Sequence, residues 1–205
     1  MTWITTYSGE TFDFSAPALE VIHIRDIAQA LSQICRFTGH TRAFYSVAQH
    51  SVLVSHIVPP EQALAGLLHD AHEAYVGDMS TPLKTCVPDF RVVEDRVWRA
   101  VATRFGVDPV LPPDVKHADL VLLATERRDL LARDGRLWDS LDNIVPMMDR
   151  IDPWDPPQAR ARFLERYAAI AVRAYNARHA PALADPQAGA LYRLFHKLFI
   201  SNEGY

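Results

Sequence analysis

The chain has almost no cysteine, no surplus of positive charge and no long apolar run, and each lack removes a class of protein. Cys35 and Cys86 are its two cysteines and they do not form a CxxC pair, a usage that suits a reducing cytosol better than a disulfide framework. Lys and Arg number 21 against 25 Asp and Glu, for a net charge of −4. That balance lacks the clustered cations that grip long nucleic acid, so any phosphate partner is expected to be small. No stretch reaches the run of about 18 apolar residues that spans a membrane, so no membrane partner is expected. Met1 to Glu10 lacks both a basic patch and an apolar core segment, so no secretion signal is expected and the cytoplasm is the expected location. There is no internal repeat, no low-complexity tract and no Gly-rich phosphate loop.

What is present suits one globular domain covering 1–205. Hydrophobic residues make up 49% and charged residues 22% of 205, enough to bury a core without a disulfide or structural metal. The expected class is all-α, a helical bundle with one short N-terminal β-hairpin. The hairpin is read from β-formers at Trp3-Ile4-Thr5 and Thr11-Phe12-Asp13 around Gly9. Apolar residues then recur at helical intervals. Ile27, Leu31 and Ile34 predict a helix over 26–36 behind an Asp26 cap, and Val47, Val54 and Ile57 predict one over 42–58 that stops before Pro59-Pro60. Pro60 opens a third, through Ala63, Leu64, Leu67 and Leu68. Gly77, Pro82 and Pro88 make 76–88 a loop. Helices are expected again at 89–105, ended by Gly106, at 113–133, at 157–179 and at 186–200, with Trp154 pinning the intervening proline-rich loop to the core.

A His-Asp dipeptide means little alone, but His69-Asp70 closes the apolar run Ala63-Leu64-Ala65-Gly66-Leu67-Leu68. Two polar side chains there are costly to bury without partners, and a cation is a natural one. His50 interrupts the apolar face of the preceding helix, and Asp119 interrupts the stretch from Ala118 to Leu123. Singly, His50 reads equally as a hydrogen-bonded core histidine and Asp119 as a cap or ion-pair partner. Together, separate helices that each carry one unexplained His or Asp favour a shared metal site. Imidazole with carboxylate suits Mn2+, Fe2+, Co2+, Ni2+ or Zn2+ more than Ca2+, with Mg2+ also admitted.

These segments resemble a known family. Ala48-Gln49-His50-Ser51, Leu67-Leu68-His69-Asp70-Ala71-His72-Glu73-Ala74-Tyr75-Val76-Gly77-Asp78, Thr81-Pro82-Leu83-Lys84 and Lys116-His117-Ala118-Asp119 are similar to the HD-domain phosphohydrolases. Among these the likeness is to bacterial 5′-deoxynucleotidases and phage dNTP triphosphohydrolases, and it covers about residues 26–135. The resemblance implies an α-helical, metal-dependent hydrolase that binds a small-molecule deoxynucleotide, and a homodimer. It implies metal ligation by His50, His69, Asp70 and Asp119. It implies catalytic support by Glu73, and Asp78 beside the substrate in the loop after the helix. The i, i+4 spacing also puts Glu73 on the helix face of His69, although an exposed helix carboxylate fits the same position and a turn-forming role fits Asp78. For His72 an exposed helix position is expected.

The resemblance further assigns a phosphate-binding role to Arg36, with a spacing to His50 one residue shorter than in the relatives, and an aromatic packing role to Phe37, where they often carry Trp. Lys84 and Lys116 could add positive charge for phosphates, or be solvated lysines. The implied reaction is hydrolysis of a dNMP to deoxynucleoside and phosphate. The alternatives are dNTP triphosphohydrolysis and, from another class, a regulatory protein that binds metal and nucleotide without turnover.

Overall fold

Alternating β-formers at the N-terminus pair as expected. Strands β1 (Trp3–Thr5) and β2 (Thr11–Asp13) run antiparallel with Ile4 opposite Phe12, and Gly9, at φ 89°, turns the chain between them. In this computed structural model, which describes residues 1–179, the hairpin is the one sheet among the described residues, and the chain is otherwise mostly helical. The Phe12 ring is fully buried and stacks on Tyr75 at 4.0 Å between centroids.

Helix α1 (Ile24–Gln33) buries Ile27, Ala28 and Leu31. Asp26 does not cap it as expected. The helix starts ahead of Asp26, whose buried carboxylate accepts the Ser8 backbone N–H at 3.0 Å and the Ser8 hydroxyl at 2.7 Å, tying α1 to the hairpin. Helix α2 (Val47–Ile57) begins later than position 42 because Ser46 caps it, its hydroxyl accepting the Gln49 N–H at 3.1 Å. Most of α2 is buried, polar Gln49, His50, Ser51 and Ser55 included.

After a turn at Pro60–Gln62 comes α3 (Ala63–Leu68), then α4 (Glu73–Val76). Inside the stretch expected to be loop lies a short helix, α5 (Thr81–Cys86), with Pro82 in its first turn, where a missing N–H costs nothing. Helix α6 (Pro88–Phe105) ends as expected at Gly106, whose φ of 67° lets Val107 N–H reach back to the Ala102 carbonyl. Helix α7 (Pro113–Asp129) opens on its proline but stops short of 133, where the Leu130 carbonyl accepts Arg42 N–H at 2.9 Å instead of continuing the helix. Helix α8 (Pro156–His179) matches the expected 157–179. The helix expected at 186–200 lies outside the described residues.

The proline-rich loop is pinned as expected, but through its backbone as well as its indole. Buried Gln49 donates to the Asp152 carbonyl at 2.7 Å and accepts Trp154 N–H at 2.8 Å. Two compact units are delimited, Met1–Leu164 and Glu165–Tyr205. Every residue of the candidate site lies in the first, and of the second the described residues are helical. Within the first unit, Val54 and Val58 of α2 pack on Val115, Ala118 and Leu122 of α7. Full burial of a side chain the size of Leu122 stabilises by about 1.5–3 kcal/mol. This seam sets the azimuth of α7, and with it the side on which Asp119 emerges. No described helix is long and apolar enough to cross a membrane.

Candidate metal centre

Close approach of α2 and α3 depends on Gly66. A Cβ there would meet Val58 Cγ2 at 3.0 Å and Ser55 Cα at 3.1 Å, so a larger residue would push the helices apart. Where α3 ends, its chain tightens into turns. Ala71 N–H bonds to the Leu68 carbonyl at 2.9 Å and Glu73 N–H to the Asp70 carbonyl at 3.0 Å. His69 and Glu73 therefore flank a helix break, and their neighbourhood does not arise from one continuous helix face.

Four donor side chains converge at this break. His50 Nε2 lies 3.2 Å from His69 Nε2, 3.5 Å from Asp70 Oδ2 and 3.4 Å from Asp119 Oδ1, and His69 Nε2 lies 3.2 Å from Asp70 Oδ2. Tautomers follow from the partners. His69 Nδ1–H donates to the Gly66 carbonyl at 2.8 Å, and His50 Nδ1–H donates to Glu126 Oε1 at 2.7 Å. Each neutral ring then turns an Nε2 lone pair toward the other, which is repulsive unless a proton or cation sits between them. Adjacent ligands about 2.1 Å from a metal ion are separated by about 3.0–3.4 Å in octahedral or tetrahedral geometry, close to the spacings found. His50, His69 and Asp119 form a group that could hold a metal ion. Asp70 reaches the same nitrogens, and the mixed imidazole–carboxylate set fits a borderline divalent metal.

Electrostatics of the site carry the mark of crowded acids. Burial and the Arg36 charge lower the pKa of His50, but Glu126 and Asp119 outweigh them and raise it to about 9. Burial raises the carboxyl groups of Asp70 and Asp119, yet the nearby histidines hold both well below the ordinary range. Glu73 is buried, 3% exposed, and its Oε2 has no hydrogen-bond partner. Burial, then the charges of Asp70 and Asp78, push its pKa well up against the opposing pull of Arg36 and Lys84. It is not an exposed helix carboxylate. Asp78, in the loop between α4 and α5, is raised by burial, and the field of Arg36 opposes that rise.

Arg36 is held at the mouth of a loop pinched shut by a bridge between Cys35 and Ser46, with Arg36 N–H donating to the Tyr45 carbonyl at 2.9 Å. Its guanidinium donates to Glu126 Oε2 at 3.2 Å and lies 3.6 Å from Asp70 Oδ2, while its Nε is buried without a partner. Phe37, 5.3 Å under that guanidinium, and Thr38 both adopt φ 54°. Left-handed backbone costs about 1–2 kcal/mol per non-glycine residue, a strain the bridge and the Arg36 ion pairs help to offset.

The two lysines behave differently. Lys84 bonds Glu94 Oε1 of α6 at 2.5 Å, and so is not a freely solvated side chain. Lys116 is largely exposed and donates to Asp119 Oδ2 at 2.8 Å. His72 is buried rather than exposed, its Nε2 lying 3.3 Å from the same Glu94 oxygen. Glu126 was missed by sequence reasoning. It is fully buried and orients both His50 and Arg36. Its signal was its place two helical turns after Asp119 on one face of α7.

No protein-family model matches the chain. The chain is similar to the uncharacterized protein YfdR of Escherichia coli K12, at 45% identity over 168 residues covering 82% of this chain and 94% of YfdR. It is also similar to the uncharacterized protein RCAP_rcc00048 of Rhodobacter capsulatus, at 34% identity over 183 residues covering 80% and 93%. This chain belongs to the family that contains YfdR.

Proposed function

We propose that the protein is a metal-dependent phosphohydrolase of the HD-domain type that acts on 2′-deoxynucleotides. The observation that carries the reading is the convergence of His69, Asp70 and Asp119 donors within 3.2–3.5 Å of His50 Nε2, beside an unpartnered buried carboxyl at Glu73. A divalent ion held by these four side chains would supply a more acidic water and neutralise charge on phosphoryl oxygens. Glu126 fixes the His50 ring so that Nε2 faces the site, and it holds Arg36 in place. Glu73, its proton affinity raised by burial and by Asp70 and Asp78, is placed to take or give a proton at Oε2. Arg36 directs positive charge toward the substrate phosphate, and Phe37 packs on its sugar or base. Asp78 lines the same side.

A monophosphate is favoured over a triphosphate, because a longer phosphate chain needs further free cations, and both nearby lysines already pair with carboxylates, Lys84 with Glu94 and Lys116 with Asp119. A non-catalytic nucleotide binder has no use for a buried, unpartnered proton carrier at Glu73. The test is purified protein loaded with Mn2+ or Co2+ and offered dNMPs, dNTPs, ribonucleotides and cyclic nucleotides. Orthophosphate release from a dNMP is expected, with deoxy favoured over ribo by at least about tenfold in kcat/KM. Triphosphate release from a dNTP would shift the assignment to the triphosphohydrolase. Turnover of no nucleotide would overturn it.

A further inference from the structure

A cavity of about 310 Å3 is lined by Arg42, Arg128, Arg133 and Arg150 with Asp129 and Ile151. It is not the metal centre. Arg128 follows Asp119 on α7 by nine residues, about 13 Å along a helix axis at about 1.5 Å per residue. It also follows Glu126, which faces His50, by two residues, or about 200° of helical turn, and so faces away from the site.

Bonds to the backbone draw the cavity's three chain segments together. Arg42 N–H donates to the Leu130 carbonyl at 2.9 Å. Ile151 N–H donates to Asp129 Oδ2 at 3.0 Å, and Arg128 donates to the Asp149 carbonyl at 2.8 Å and to the Met147 carbonyl. The walls are therefore preformed, and Arg128 has a structural task in them. Helix-end electrostatics explains Arg128 as well, since cations favour a helix C-terminus. It does not explain the other three. Arg42 and Arg150 come from other segments, and Arg133 lies beyond the helix.

Among the described residues none of Arg42, Arg133 and Arg150 forms an ion pair or a side-chain hydrogen bond, although Arg150 contributes to the field at Asp129. Four guanidinium groups against the single Asp129 carboxylate leave a local charge of +3 in a chain whose net charge is −4. Like charges gathered in a concave site repel, and an anion of matching charge relieves that repulsion. Planar guanidinium forks match phosphoryl oxygens in pairs. The volume lies at the small end of ligand pockets, which run to about 1,000 Å3, so a compact ligand fits.

We propose that this cleft binds an oligophosphate, either a free inorganic one or the phosphate tail of a nucleotide. The proposal does not depend on the reading of the metal centre. Isothermal titration of the full chain, chelator-treated, with inorganic tripolyphosphate is the test, with dATP, inorganic phosphate and a short DNA duplex in parallel. Tripolyphosphate binding that weakens at least about tenfold in R133A/R150A, and recovers in R133K/R150K, is expected from loss and return of two cations. It should also weaken with added salt, since these side chains are exposed. If dATP binds with the same dependence on Arg133 and Arg150, the source is a nucleotide tail, and if tripolyphosphate alone does so, it is a free oligophosphate. Wild-type affinity in R133A/R150A, equal affinity for inorganic phosphate, or tighter binding of the duplex would each overturn the proposal.

Discussion

Replacing Glu126 with Gln is the sharpest perturbation of the metal centre, because it keeps the shape of a fully buried side chain and changes only what its two oxygens can do. In the wild type both are acceptors, Oε1 for His50 Nδ1–H at 2.7 Å and Oε2 for Arg36 at 3.2 Å. A glutamine amide accepts at one end and donates at the other. If its oxygen faces His50, its NH2 meets the Arg36 guanidinium, donor against donor. If its NH2 faces His50, the imidazole must carry its proton on Nε2, the nitrogen turned toward His69 and Asp119. Either way one charge-assisted bond is lost, at about 1.5–3 kcal/mol. That loss corresponds to about 10–100-fold in metal affinity, as expected when the carboxylate behind a ligating histidine is removed. Competition with a chromogenic chelator measures the affinity, and urea unfolding of the metal-free form measures the stability, which should fall by a similar amount. A folded E126Q protein with wild-type affinity for Mn2+ or Co2+ would refute the claim that Glu126 orients His50 for metal binding.

Asp70→Ala should remove bound metal and activity together, since it takes away a carboxylate within 3.5 Å of His50 Nε2 and 3.2 Å of His69 Nε2, and unchanged metal content by atomic emission would place the ion elsewhere. Glu73→Ala should retain metal and nucleotide while turnover falls by about 10²–10⁴-fold, and wild-type turnover would exclude it from proton transfer. In the metal-free protein the pKa of His50 is raised from 6.5 to about 9, so its contribution to stability is full below the lower value and lost as pH rises through the upper. Metal must displace that proton, so affinity should climb about tenfold per pH unit below pH 9, and pH-independent affinity would show that His50 is not a ligand. Calorimetry in buffers of different ionisation heat should register release of about one proton per ion at pH 7, from His50, and a release of zero would contradict its raised pKa.

Residues that defied their local pattern were the legible ones. His50, His69, Asp70 and Asp119 each interrupt an apolar helix face, so a one-dimensional reading singles them out, and the structure brings their donor atoms together. Glu126 breaks the pattern too, but it precedes Arg127 and Arg128, and in sequence it merges into an ordinary charged helix end. Its burial depends on Arg36 arriving from 90 residues away, a contact made by the Cys35–Ser46 bridge that no local periodicity announces. His72 was misjudged for the same reason, since its cover comes from Glu94 and the Trp98 ring on α6. Helix α5 was hidden because Pro82 reads as a breaker unless it falls in a first turn, where it is a starter.

Charge balance explains why so many acids tolerate one neighbourhood. The carboxyl groups of Asp70, Glu73, Asp78, Asp119 and Glu126 act on one another or on the same cations, Arg36 and Lys84. Left fully ionised, that set carries an excess of negative charge in a poorly solvated space, where each unbalanced charge is expensive. Two groups respond with a raised affinity for protons, His50 under the pull of Glu126 and Asp119 and Glu73 under burial beside Asp70 and Asp78. Protons on both would carry the charge of one divalent cation. The site would then carry the same net charge with the two protons or with the ion. An exchange between them would leave the Arg36–Glu126–His50 contacts in place while freeing the Glu73 carboxylate to accept a proton.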